Sequence, residues 1–382
     1  MTMINRQPYF KAANRLVVKV GSNVLTADQG LNLPVIYALS KQISHLMGSG
    51  VEVILVSSGA MASGQKKIGL AKRPDEIPKR QAMAAVGQPG LMLEYEKAFG
   101  VYDIKVAQIL LTGDDLNTSR NRYLNARNTM NTLLSWNIIP IINENDTVVV
   151  DEIKFGDNDN LSSMIALLMN ADLLINLTDI DGLYTGDPRK QTNVELIFEV
   201  DTIDAAIEKI SGDIPGTLGT GGMLSKIKAA AKTTNAGIPM IIANGLKTDI
   251  LIKLFSGENH GTFFIPAKEK LSSRKCWIGY NIKPKGTIRI DTGAVKAILN
   301  RGKSLLPGGV IDVEGDFGVG DAVELSGDAN PRIAVGLVNY SSSDIRKIMG
   351  CKTDQIQECL GQKLYDEVIH RDNLTILTEC LI

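Results

Sequence analysis

Two runs of acids and amides stand close together in the middle of the chain. They are Asn143-Glu144-Asn145-Asp146 and, after a short apolar stretch, Gly156-Asp157-Asn158-Asp159-Asn160. Acidic and amide side chains form strands poorly, and grouping them costs like-charge repulsion unless a cation answers them. A bound substrate amine, a metal ion or lysines from elsewhere in the chain would all serve; the plain alternative is a solvated loop ending in an Asp helix cap. Lysines are available at two places. Lys19 lies inside the apolar run Leu16-Val17-Val18-Lys19-Val20, where burial is costly unless the ammonium emerges at a site or snorkels from an edge strand. Lys226 falls in the first turn of an alanine- and lysine-rich helix former over 223–236, directly after five glycines between Ser211 and Gly222. A glycine loop entering a helix can be merely flexible, or it can present free N–H groups beside the positive end of the helix dipole, which is an anion site. Transfer of a phosphoryl group needs positioning and compensation of charge on its oxygens, and Lys19 with Lys226 could supply that compensation.

The elements that must position these groups follow from periodicity. Residues 138–142 read as a buried strand, and Leu161, Ile165, Leu168 and Met169 as one helix face, so the acids sit where a strand ends and a helix begins. Residues 15–20 predict a strand running into Gly21, and 51–56 a second one running into Ser57-Ser58-Gly59-Ala60. Further strands are expected over 106–111, 173–177 and 239–243, with helices over 32–47, 79–99 and 120–134. The run Gly87-Gln88-Pro89-Gly90 should break or kink the second of these helices. Strand and helix alternate throughout, which predicts an α/β fold: an open, mostly parallel sheet sandwiched by helices. In such sheets ligands collect at the carboxyl ends of strands, so the two glycine turns point to one crevice. After Pro284 the punctuation changes. Short β-like runs over 287–290, 309–313, 321–325 and 332–338, parted by glycines, predict a small β-rich barrel.

The chain has 382 residues, enough for one large and one small domain, and 44% of them are hydrophobic, as in a globular protein with a sizeable core. Forty-one basic residues against forty-two acidic ones give a net charge of -1, so anion binding must be local rather than a property of the whole surface. Four cysteines without a Cys-x-x-Cys pair and three dispersed histidines argue against a zinc site or a disulfide framework and fit a reducing compartment. No apolar stretch nears the ~18 residues of a membrane span, and the first fourteen residues lack a secretory core, so a cytoplasmic protein is expected. Neither common nucleotide motif is present: Gly302-Lys303-Ser304 has Ala297 where a P-loop needs glycine, and no Gly-x-Gly-x-x-Gly occurs.

Taken together, Lys19-Val20-Gly21, Ser57-Ser58-Gly59-Ala60, Ile142 to Asp146, Gly156 to Asn160, Thr178-Asp179 and Gly219 to Met223 closely resemble the amino acid kinase family, in its branch acting on glutamate. Beyond Pro284 the chain is similar to the PUA domain that many bacterial members carry. The resemblance implies a kinase domain over 1–270, a linker over 271–283 and a PUA-like domain with a C-terminal extension over 284–382. It implies ATP-dependent phosphorylation of the side-chain carboxylate of L-glutamate, with Mg2+ carried on the ATP phosphates, as the first step of proline synthesis. Lys19 and Lys226 would hold the transferring group, with Asp159 pairing and orienting both. Ser58, Asp146 and Asn158 would bind glutamate, Asp146 at its α-amino group, and Asp157 supports that side. Thr178, Asp179, Thr220, Gly221, Gly222, Met223, Leu224 and Ser225 would line the ATP site beside the lysines. Inhibition by proline, a homo-oligomer and functional coupling to a separate glutamyl-phosphate reductase are further implications, the chain ending too soon for a fused one.

Two departures from the family pattern stand out: Ser22-Asn23 in place of Thr-Ser, and Leu224 in place of a small polar residue. Both leave the lysines in position and are read as tuning nucleotide contacts. A rival within the family is a kinase of acetylglutamate, whose blocked amine would leave Asp146 without a partner. A rival outside it is an RNA-binding protein with a vestigial kinase domain. Against that, Pro284 to Tyr365 carries equal numbers of basic and acidic residues, whereas phosphate neutralisation needs clustered Lys and Arg.

Overall fold

Apolar runs that end in glycine turns form strands lying side by side, and the order of those strands decides where the site can be. The computed structural model describes residues 5–27, 30–117, 120–148, 158–188, 191, 193–212, 222–268, 270–327 and 331–377. It divides into two units, Met1–Lys270 and Leu271–Ile382. The first contains strands β1 (Arg15–Val20), β2 (Glu52–Ser57), β3 (Val106–Leu111), β4 (Ile139–Glu144), β5 (Leu173–Thr178), β6 (Glu199–Val200), β7 (Met240–Asn244) and β8 (Thr262–Phe264). They build one sheet in the order β3-β4-β2-β1-β5-β7-β8-β6. All neighbours are parallel except β7 and β8, where the chain reverses.

Helices α1 (Leu33–Gly48), α2 (Ala60–Ile68), α3 (Ile77–Gly100), α4 (Arg120–Ser135), α5 (Asn158–Leu168) and α6 (Met223–Asn235) connect and cover these strands. Side chains alternate across a strand, so parity assigns each residue to a face. Leu16, Val18 and Val20 of β1 join Val53, Leu55, Leu173, Ile175 and Leu177 in a core closed by Ile36, Leu39 and Ile43 of α1 and Leu91 and Phe99 of α3. Lys19 belongs to the other face, in register with Val56 of β2 and Asn176 of β5. That face is covered by α5, which packs on β1, β2, β4 and β5 and against α6. A helix buried along nearly its whole length, as α5 is, brings its first turn over the carboxyl ends of the central strands.

Of the expected break or kink at Gly87 to Gly90, the break does not occur: α3 runs through Pro89 without interruption. The glycines serve a different purpose, the close approach of α2 and α3. A Cβ on Gly64 would lie 1.8 Å from the Met83 carbonyl oxygen, and one on Gly87 would lie 1.8 Å from that of Ala60. Any side chain at either position would clash with the facing backbone, so only glycine permits the approach.

The second unit contains β9 (Gly286–Ile290), β10 (Val310–Gly315), β11 (Ala322–Ser326), β12 (Ala334–Leu337) and β13 (Leu374–Ile376), in the sheet order β10-β9-β11-β12-β13. Its core gathers Ile288, Ile290, Val323, Leu325, Val338 and Ile345, among others. Much of the stretch read as a linker is folded here. Ser273–Cys276 is helical, and Trp277–Asn281 forms a π-helical turn that buries Trp277 and Ile278 and packs on β12 and β13. Among the described residues no helix is long and apolar enough to cross a membrane.

Candidate active site

The site forms at the carboxyl ends of β1, β2, β4 and β5, and Asp159 is its pivot. This carboxylate stands in the first turn of α5 and is 2% exposed. Its Oδ1 accepts hydrogen bonds from the Lys19 ammonium at 2.5 Å and from Asn176 Nδ2 at 2.8 Å. Its Oδ2 accepts them from the Lys226 ammonium at 3.0 Å and from the Ser225 hydroxyl at 2.6 Å. Burial by itself would raise the pKa of Asp159. The Lys19 and Lys226 charges, with hydrogen bonds from Lys19 and Ser225, outweigh it and hold the carboxylate well below the usual range. Two ammoniums thus converge on one buried carboxylate, and an anion bound beside them would meet cationic charge already in place.

Local structure explains how residues so far apart in sequence meet. Parity on β1 turns Lys19 toward α5, and the parallel register sets Asn176 beside it on the same face. Lys226 lies in the first turn of α6, with its ammonium also 3.5 Å from the Gly222 carbonyl oxygen. Farther along α6, Lys232 donates to Asn160 Oδ1 of α5 at 2.6 Å, tying the two helices together.

Beside this centre lies a second polar pocket. Asn158, adjacent to Asp159, donates from Nδ2 to the Ser57 carbonyl oxygen, the Ser58 hydroxyl and Asn143 Oδ1, each at 3.1 Å. Its own Oδ1 is buried and has no partner among the described residues. Beneath it the Ser57 hydroxyl lies 2.8 Å from that of the buried Tyr95, whose pKa burial pushes upward. Asp146, in the turn after β4, is 7% exposed. Burial raises its pKa to about 6 even though the charges of Arg73 and Arg80 act in the opposite direction.

On the other side of the pivot, Thr178 ends β5 and donates to Asp179 Oδ1 at 3.1 Å. Asn23, one of the two departures from the family pattern, donates to Asp179 Oδ2 at 2.8 Å. Met223 is buried at the head of α6, with the partly exposed Leu224 next to it. Asp157, Thr220 and Gly221 lie outside the described residues.

The structure thus joins Lys19, Asp159, Ser225 and Lys226 in one network, and Ser58 with Asn158 in a second. Sequence reasoning passed over Asn176, although an amide inside the buried run Leu173 to Leu177 was a visible signal. It also passed over Arg73 and Arg80, which no motif marks.

Comparison with known proteins agrees with this geometry. The profile of the amino acid kinase family matches residues 14–244, and that of the PUA domain matches 286–360. A glutamate 5-kinase of Syntrophus aciditrophicus (strain SB) is 50% identical over 373 residues, covering 98% of this chain and 97% of that one. One from Thermoanaerobacter sp. (strain X514) is 51% identical, covering 95% and 98%. Another, from Geobacter sulfurreducens, is 48% identical, covering 97% and 100%. With the lysine pair on its buried acid and half the residues shared from end to end, the chain belongs to the amino acid kinase family.

Proposed function

We propose that the protein transfers the γ-phosphoryl group of ATP to the side-chain carboxylate of L-glutamate, giving L-glutamyl 5-phosphate and ADP. The observation that carries this reading is the convergence of Lys19 and Lys226 on Asp159, together with a second buried acid, Asp146, whose pKa burial raises to about 6. An oxygen of the acceptor carboxylate attacks the γ-phosphorus as the bond to the β-phosphate oxygen breaks. Negative charge accumulates on the equatorial oxygens and the leaving group, and the two ammoniums, already oriented by Asp159, stabilise it without further rearrangement. No general base is needed, because the acceptor is ionised at neutral pH.

Asn158 and Ser58 would hold the acceptor, and Asp146 would take its α-ammonium, with Asp157 supporting that side. Thr178, Asp179 and the residues from Thr220 to Ser225 would line the nucleotide, with Asn23 fixing Asp179. Magnesium would arrive on the phosphates and neutralise part of their charge. Among the described residues no group of three His, Cys, Asp or Glu could hold a metal, and both oxygens of Asp159 already accept lysine donors.

The product is an acyl phosphate that a separate reductase would consume on the way to proline. Feedback by proline, a homo-oligomeric state and a cytoplasmic setting complete the proposal. ADP release should be measured with glutamate, N-acetylglutamate and aspartate as acceptors, with and without proline. Turnover with glutamate alone, suppressed by proline, is the expected result. Turnover with N-acetylglutamate and not glutamate would overturn the assignment, since a blocked amine has nothing to offer Asp146.

A further inference from the structure

Two of the cysteines, eight residues apart and in no obvious motif, meet on the surface of the second unit. Cys351 is partly exposed and Cys359 exposed, and their sulfurs are 3.8 Å apart. Neither is placed by chance. Cys351 N–H donates to the Ile348 carbonyl oxygen at 3.0 Å, and the preceding Gly350 N–H donates to that of Pro307 at 2.9 Å. Cys359 lies three residues after Ile356, on the same short helix Ile356–Leu360, and Ile356 is fully buried in the core of the unit.

We propose that Cys351 and Cys359 form an oxidisable dithiol, closing to an intramolecular disulfide when the protein meets a hydroperoxide. Closing the bond requires the sulfurs to approach from van der Waals contact to about 2.05 Å, a movement that side-chain rotation on an exposed turn can supply. In the first step one thiolate attacks the peroxide, the O–O bond breaks, and a sulfenic acid and an alcohol form. In the second, the other thiol attacks the sulfenic sulfur, the S–S bond forms, and the hydroxyl leaves as water with the thiol proton. Two thiols and one hydroperoxide become one disulfide, one alcohol and one water, the sulfurs losing the two electrons that the peroxide gains.

The proposal does not depend on the kinase reading. The Cys351 sulfur beside it, together with partial desolvation, pushes the Cys359 thiol upward, so the reaction at neutral pH is slow and an excess of oxidant is needed to drive it.

Lys352 lies between the two cysteines, which gives a direct readout. Trypsin separates Cys351 and Cys359 into the peptides 348–352 and 353–363 unless a disulfide joins them. The full chain, treated with hydrogen peroxide, blocked with N-ethylmaleimide, digested and weighed, should yield the joined peptide, two hydrogens lighter than the sum and released by dithiothreitol. At micromolar protein the internal bridge should exceed any intermolecular one by roughly a thousandfold, because the neighbouring thiol is present at millimolar effective concentration or above. Cys359→Ser and Cys351→Ser should each abolish the joined peptide while the buried Cys276 stays available to alkylation after unfolding. Recovery of both peptides singly blocked, or of Cys359 joined chiefly to another chain, would overturn the proposal.

Discussion

Asp159 and Asp146 are buried to a similar degree and, in the proposed assignment, serve the phosphoryl and acceptor halves of the site, yet their pKa values are displaced in opposite directions. Asp159 accepts four donors, two of them ammoniums, and is held ionised far below the ordinary carboxylate range. Asp146 is left near 6, with two arginine charges close enough to pull it downward but not enough to cancel its burial. Burial is therefore not what separates them; the supply of cations is. If the proposed roles hold, the phosphoryl half has its lysines already oriented by Asp159, as transition-state stabilisation requires. The acceptor half would then hold an acid whose burial a substrate ammonium offsets.

The comparison is broken most severely by removing the charge of the pivot. In Asp159→Asn two buried ammoniums lose the carboxylate they share, and stability should fall by about 3–5 kcal/mol in urea denaturation, with loss of nearly all turnover. Retention of wild-type stability would mean that the lysines do not depend on this acid. Next come the lysines themselves: Lys19→Ala and Lys226→Ala should each lower kcat by on the order of a hundredfold or more, with the KM for glutamate little changed. An effect on KM alone would place the lysine in ground-state binding instead.

The acceptor half should respond in KM. For Asp146→Asn the KM for glutamate is expected to rise by roughly tenfold or more while that for ATP stays put. The pH profile sharpens this. Asp146 in the free protein loses its charge as pH falls through about 6, so kcat/KM for glutamate should drop below that pH by about tenfold per unit, and the Asn variant should lack this limb.

The same substitution tests stability with the sign reversed. A folded pKa raised from 3.8 to about 6 means that the contribution of this group to stability is fully present below about pH 4 and is lost as pH rises through 6. Asp146→Asn should therefore stabilise the ligand-free protein at pH 7.5, by about 1–3 kcal/mol, and leave it unchanged at pH 4. The smallest expected effect is that of Asn176→Leu. It removes one neutral donor from Asp159 while both ammoniums remain, and kcat should fall by about threefold to tenfold. A loss as large as that of a lysine variant would make Asn176 an equal member of the network.

Much of this was legible in the chain. The strand over 15–20 and the turn at Gly21, the second strand into Ser58 and Gly59, and the start of α5 beside Asp159 all follow from apolar period and glycine punctuation, which act over a few residues. The helix through Gly87 and Pro89 was misread for the same reason. Gly87 answers to the backbone of α2, and that contact is not local. Asn176 escaped because an amide in a buried strand has no meaning until its register neighbour is known to be Lys19.

The sequence by itself determined the elements, the face of β1 on which Lys19 lies and the presence of acids at the carboxyl ends of strands, because side-chain alternation and turn chemistry are properties of adjacent residues. Only the tertiary structure decided which charges meet. Lys19 and Asp159 are 140 positions apart, and Coulomb interaction depends on distance through the folded protein, so the opposite pKa shifts of two similarly buried aspartates are settled only once the sheet and α5 have packed.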